Sequence, residues 1–290
     1  MKTYLECFSC FMNQALSISR KAGLDEEGQR DVMNRVSLML PEFEMSTTPP
    51  EMARRIIGMI QSLTGVEDPF FEEKRISNQK ALELAERIEE KIARSDDPLL
   101  TSIEYAIAGN SIDFGAYHDL DIEKTIVEKV TEENSHIKNE EPRLFAYNSF
   151  REKLKSSNTL LYIADNAGEF VFDFILLKNI KRLYPEIEIT VAVRSGPALN
   201  DVTLEDARQI GMDREFTVLP SGSDAPGTLL DYCSAEFLDL LYGSDLVVSK
   251  GQGNYETLSG IDRRVFFLLR TKCVVIARHT GSNKGDILLM

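Results

Sequence analysis

The sequence predicts an α/β protein in which an all-helical subdomain, residues 1–156, precedes an α/β sandwich on a mostly parallel sheet, residues 157–290. Two observations carry this expectation. The first half repeats its apolar residues at helical spacing and holds almost no alternating β-branched run. The second half switches to short continuous apolar runs separated by helix-length stretches, the pattern of strands buried on both faces.

In the helical half, Phe11, Ala15, Ile18 and Ala22 form one stripe. Met52, Ile56, Met59 and Leu63 repeat it between Pro49-Pro50, a helix start, and Gly65, a stop. Ala81, Ala85, Ile88 and Ile92 repeat it again within a Glu/Lys-rich stretch ending near Pro98. In the second half, strands are expected at 159–164, 187–193, 215–219, 245–249 and 272–277. Helices are expected between them at 169–184, 203–211, 228–242 and 254–270. Such alternation implies right-handed crossovers. It also places ligands on the loops beyond the carboxyl ends of the strands.

Composition narrows the function classes. At 43% apolar and 28% charged residues, the 290-residue chain can bury enough surface to fold. Its 47 acidic and 33 basic residues give a net charge of -14, which repels nucleic acid and anionic membranes. No apolar run approaches a membrane span, and the start Met1-Lys2-Thr3-Tyr4-Leu5-Glu6 has no signal-peptide core, so a cytoplasmic protein is expected. The four cysteines make no disulfide framework. Cys7 and Cys10 form one C-x-x-C at the entry to the first helix, half of a zinc site that nothing else completes. Small buried residues, a redox pair and a partial metal site all remain open readings for them.

Three polar, glycine-rich loops fall on one rim of the expected sheet: Asp165-Asn166-Ala167-Gly168-Glu169, Arg194-Ser195-Gly196-Pro197 with Asn200-Asp201, and Lys250-Gly251-Gln252-Gly253-Asn254. Asp165, Asn166 and Asp201 offer two carboxylates and an amide oxygen, a donor set suited to Mg²⁺ or Mn²⁺. Alternatively they are turn formers and helix caps. Lys250 with Gly251, Gly253 and Asn254 has the composition of a phosphate cradle, though an ordinary strand-to-helix turn fits equally well. Ala108 to Gly115 reads as a tight turn from which Asn110 and Asp113 would reach a substrate if it folded over the rim.

The motifs AGNSIDFG, DNAGE, VRSGPALNDVT, KGQGNYE and KCVVIA, taken together and in this order, resemble those of the damage-control phosphatase family, long filed as domain of unknown function 89. The early C-x-x-C resembles its prokaryotic and archaeal branch. The resemblance implies a three-layer α/β/α, Rossmann-like core with a helical subdomain. It also implies hydrolysis of small phosphorylated metabolites, such as sugar phosphates, with a divalent cofactor such as Mn²⁺ or Mg²⁺. It implies Asp165, Asn166 and Asp201 as metal ligands, Lys250 as the cation holding the phosphoryl group, and Asn110 and Asp113 in the pocket. Asp165 itself is a candidate nucleophile, and Glu169 and Arg194 are further candidates for substrate contact. The runner-up is an S-adenosylmethionine-dependent carboxyl methyltransferase, whose first loop would want more glycine than DNAGE supplies. A non-catalytic metabolite-binding protein is the third reading.

Overall fold

The computed structural model describes residues 1–109 and 143–290; Asn110, Asp113 and the acid-rich stretch 128–141 lie outside the described residues. The first five helices are α1 (Glu6–Lys21), α2 (Glu26–Met39), α3 (Pro49–Thr64), α4 (Phe71–Arg94) and α5 (Pro98–Gly109), with α6 (Tyr147–Lys155) leading into the sheet. From there strands and helices alternate as β1 (Thr159–Ile163), α7 (Glu169–Leu183), β2 (Glu188–Val193), α8 (Leu204–Ile210) and β3 (Thr217–Pro220). The chain continues through α9 (Ala235–Gly243), β4 (Leu246–Lys250), α10 (Gln252–Leu258), β5 (Phe266–Arg270), α11 (Val274–Thr280) and β6 (Ile287–Leu289).

The sheet runs β3-β2-β1-β4-β5-β6. All neighbours are parallel except β5 and β6. β4 buries all five of its residues, so helices cover both faces, as an apolar run without alternation demands. After β3 the chain returns to the far side of β1 and continues with β4 and β5. The strand order therefore reverses between β1 and β4, and the loops leaving these two strands part on either side of a crevice.

Two apolar clusters hold the chain together. Residues of α4, α5 and α6 join the sheet and its helices in the larger one. Residues of α1, α2 and α3 make the smaller one, into which Val275 of α11 also packs. On α1 the buried stripe is Cys7, Phe11, Ala15 and Ile18. On α3 it is Met52, Ala53, Ile56, Ile57 and Ile60, turned away from the expected Met59 and Leu63; Leu63 is 42% exposed. Pro49 and Pro50 begin α3, and Gly65 ends it with φ +70°.

The last third differs from expectation. The stretch 254–270, expected as one helix, is α10 followed by β5. KCVVIA, expected as a strand, begins a helix instead: Cys273 is the extended N-cap of α11 and Gly281, at φ +76°, closes it. Its apolar run, Cys273 to Ala277, is too short for period to separate strand from helix. Phe266 to Arg270 takes the sheet position, pairing with β4 on one side and β6 on the other.

Candidate active site

β1 ends at Ile163, and Asp165, Asn166 and Gly168 form the loop into α7. The chain leaving β2 passes Leu199, whose φ of 55° is the one left-handed non-glycine value among the described residues, and then folds back across the end of β1. Val202 N–H donates to Asp165 O at 2.8 Å and Ala167 N–H donates to Asn200 O at 2.9 Å, so Asn166 and Asp201 meet in an isolated antiparallel bridge. Backbone hydrogen bonding thus fixes the three expected metal-binding residues beside one another. All three line a cavity of about 360 Å³ between the sheet rim and the helices α1 and α3.

The electrostatics of this trio are unusual. Asp165 is 6% exposed and Asp201 3%. Burial pushes the Asp165 carboxyl up to about 8 and raises that of Asp201 as well. The charges of Asp201 and Glu169 add to the rise at Asp165, while Lys272 and Arg194 oppose it. Arg194 sits under Asp201, its Nε donating to Oδ2 at 2.6 Å, and its other nitrogens donate to Thr228 Oγ1 at 3.2 Å and Asn254 Oδ1 at 2.8 Å.

The donor set fits a hard divalent ion. Asn166 Nδ2 donates to Asp165 Oδ2 at 2.6 Å and to Glu169 Oε1 at 2.9 Å. Its two amide protons are therefore committed, and its Oδ1 has no hydrogen bond among the described residues. Two buried carboxylates that repel one another and an uncommitted amide oxygen are what a dication would neutralise, with cavity space for further ligands. No three His, Cys, Asp or Glu side chains among the described residues converge as a metal cluster, so a thiolate- or imidazole-rich site is not built here.

The other expected site residues are placed differently. Lys250, expected to hold a phosphoryl group, is instead fully buried beneath the cavity. Its ammonium donates to Ala106 O at 2.8 Å, Asp173 Oδ1 at 2.6 Å and Glu169 Oε2 at 3.3 Å. Arg194, Glu169 and Asn254 are likewise hydrogen-bonded supports rather than cavity wall. Asn254 accepts from Arg194 and Thr228 and donates to Ala164 O at 3.1 Å and Lys250 O at 2.8 Å, tying β1 to β4. The Gly251 N–H, expected to face an anion, donates to Leu268 O at 3.0 Å. Gly253 does line the cavity; there a Cβ would lie 2.2 Å from Pro226 O, so only glycine admits the neighbouring loop.

Several cavity residues escape the sequence reading. Lys272 is exposed on the rim with its ammonium in no ion pair among the described residues, and its backbone N–H donates to Gln252 Oε1 at 3.2 Å. Gln252 Nε2 donates to Glu256 Oε1 at 3.0 Å. Burial pushes the Glu256 carboxyl up to about 7. Cys7, Cys10 and Cys273 also line the cavity. Burial raises the thiols of Cys7 and Cys10 above their ordinary range, so neither is an activated thiolate. The sequence signal for Lys272 is its position just after a strand, and it is hidden because the following run, Cys273 to Ala277, reads as the strand in place of Phe266 to Arg270.

The family model for the damage-control phosphatase ARMT1-like domain matches residues 3–288. A Pyrococcus horikoshii protein named damage-control phosphatase PH1575 is 34% identical to this chain, the alignment covering 100% of this chain and 98% of the relative. An Archaeoglobus fulgidus protein named damage-control phosphatase is 31% identical over 99% of this chain and 98% of its own length. The crystal structure of a DUF89 family protein, PH1575 of P. horikoshii, superimposes with a TM-score of 0.90 at 30% identity, covering 100% of this chain and 99% of that one.

Proposed function

Because the chain belongs to the damage-control phosphatase ARMT1-like family, we propose that it is a divalent-metal-dependent phosphatase of small phosphorylated metabolites. The observation that carries this reading is the convergence of Asp165, Asn166 and Asp201 in one cavity at the sheet's switch point. These residues would hold the metal, which when bound polarises phosphoryl oxygens and orients the attacking group.

The chain's own residues supply the rest. Arg194 holds Asp201 in place from below, and the loop 200–202 is locked to β1 by backbone hydrogen bonds. Lys272, rather than Lys250, is the rim cation free to meet an anionic phosphoryl group and to offset charge that persists through the transfer. Glu256, a buried carboxyl in the cavity wall that titrates near neutrality, is suited to hold or move a proton there. The volume of the cavity suits a small metabolite rather than a polymer. A methyltransferase reading would want an acidic residue at the end of the second strand; Arg194 stands there. Among the described residues no helix is long and apolar enough to cross a membrane.

The test is phosphate release from a panel of sugar and other small phosphates, with Mn²⁺, with Mg²⁺ and after chelation. Release that requires the divalent ion supports the proposal. No release from any substrate under any of these conditions overturns it.

A further inference from the structure

Beneath the cavity, Lys250, Glu169 and Asn166 form a chain of hydrogen bonds with a fixed sense. Lys250 is fully buried and its three ammonium protons have three acceptors, Ala106 O, Asp173 Oδ1 and Glu169 Oε2. Glu169, 1% exposed at the first position of α7, turns its other oxygen to the loop before it. Oε1 accepts from the Asn166 backbone N–H at 3.0 Å and from Asn166 Nδ2 at 2.9 Å. The second Nδ2 proton goes to Asp165 Oδ2 at 2.6 Å. An asparagine amide is nearly symmetric in shape, so unaided it has little reason to present oxygen rather than nitrogen in one direction. Here Glu169 Oε1, already the acceptor of the Asn166 backbone N–H, and Asp165 Oδ2 both meet the amide nitrogen.

We infer that Lys250 and Glu169 are positioning residues that orient the Asn166 amide, so that its Oδ1 is the atom offered to a cation in the cavity. This rests on the metal-site reading above. Lys250 pins Oε2, which leaves Oε1 as acceptor for both Asn166 donors. Remove the pin and Oε2 loses its cationic partner, so the carboxylate is no longer fixed from that side; convert it to an amide with Lys250 present, and a donor must face either Lys250 or Asn166. Either change releases the asparagine. The burial of a lysine among acids, costly in itself, has a purpose on this reading.

The test is Mn²⁺ binding to the metal-free full-length protein, followed by the electron paramagnetic resonance signal of free Mn²⁺, with no dependence on turnover. Lys250→Met/Asp173→Asn removes the cation without stranding Asp173, and it should weaken binding about tenfold to a hundredfold. Glu169→Gln alone should do the same. The triple variant Lys250→Met/Asp173→Asn/Glu169→Gln should recover most of the loss. In it the amide nitrogen introduced at position 169 can face the space Lys250 left, while the amide oxygen keeps Asn166. A merely structural role predicts that the triple variant is the worst of the three. The inference is overturned if the triple variant binds no better than the double, or if the double variant or Glu169→Gln binds as the wild type. Should Lys250→Met/Asp173→Asn not fold, Glu169→Gln decides: wild-type affinity there overturns the inference. The metal reading itself fails separately, if wild type binds no Mn²⁺ or if Asp201→Asn binds it equally well.

Discussion

Gly251 lies so close to the carboxylate of Asp165 that a Cβ added to it would fall 1.8 Å from Oδ2. Its φ of +79° also belongs to the region that favours glycine. Gly251→Ala therefore meets two obstacles, backbone strain of about 1–3 kcal/mol and a forced displacement of Asp165. Urea unfolding should show the loss of stability, and Mn²⁺ titration should show weakened binding beyond it. Unchanged binding in a folded Gly251→Ala protein would show that Asp165 can move without consequence.

Asp201 is not a dispensable rim residue, since it is the buried acceptor for Arg194 Nε. Asp201→Ala therefore damages the fold as well as the site: leaving the guanidinium unpaired should cost roughly 3–5 kcal/mol. Asp201→Asn retains an acceptor and is the cleaner probe. It should lower metal-dependent phosphate release by about a hundredfold or more, with circular dichroism matching the wild type. Full activity in Asp201→Asn would remove this carboxylate from the proposed ligand set.

The two lysines near the site should separate sharply. Lys272 is exposed on the rim, so Lys272→Met should change stability by no more than about 0.5 kcal/mol. Phosphate turnover should nevertheless fall by about tenfold to a thousandfold, roughly 1.4–4 kcal/mol of transition-state stabilisation. Lys250→Met should instead destabilise the protein strongly, because Asp173 and Glu169 lose their counter-charge. Steady-state kinetics beside thermal melts of both variants distinguishes the cases. Unaltered turnover in Lys272→Met would mean that another cation meets the phosphoryl group.

Glu256 makes stability depend on pH in a defined direction. Its carboxyl titrates near 7 in the folded chain against a value of 4.5 without burial, so the folded state holds the proton more tightly. Its contribution to stability is neutral below about pH 4.5, turns unfavourable as pH rises, and is fully unfavourable above about 7. Glu256→Gln should therefore match the wild type at about pH 4 in urea unfolding and exceed it at about pH 8 by about 1–3 kcal/mol. Equal stability at both pH values would place the ionised carboxylate in water.

The fold class and the convergence of Asp165, Asn166 and Asp201 are legible in the sequence for one reason: strands buried on both faces leave uninterrupted apolar runs, and the loops that follow them stand out as polar. The β1 run ending before Asp165 is of this kind, as is the β4 run ending in Lys250. What period cannot resolve is the stretch after Leu258, where Phe266 to Arg270 and Val274 to Ala277 are both short and apolar. That ambiguity conceals Lys272. The burial of Lys250 and the exposure of Lys272 have no local signal either. A lysine before a glycine reads alike whether its ammonium meets solvent or three buried acceptors, and the acceptors come from α5 and α7, far away in sequence.

The cavity draws its walls from two unlike sources. The loops after the strands bring the oxygens that would hold a cation, while Pro49, Pro50 and Ala53 of α3 with Phe11 and Gln14 of α1 form the opposing side. Those helices pack mainly in a cluster of their own, apart from the one that secures Asp165 and Asp201. On the proposed function, selectivity and reactivity would be encoded in separate stretches of chain. Replacements at positions 14 or 53 would then reshape that wall for a different metabolite while the loops after the strands stay as they are.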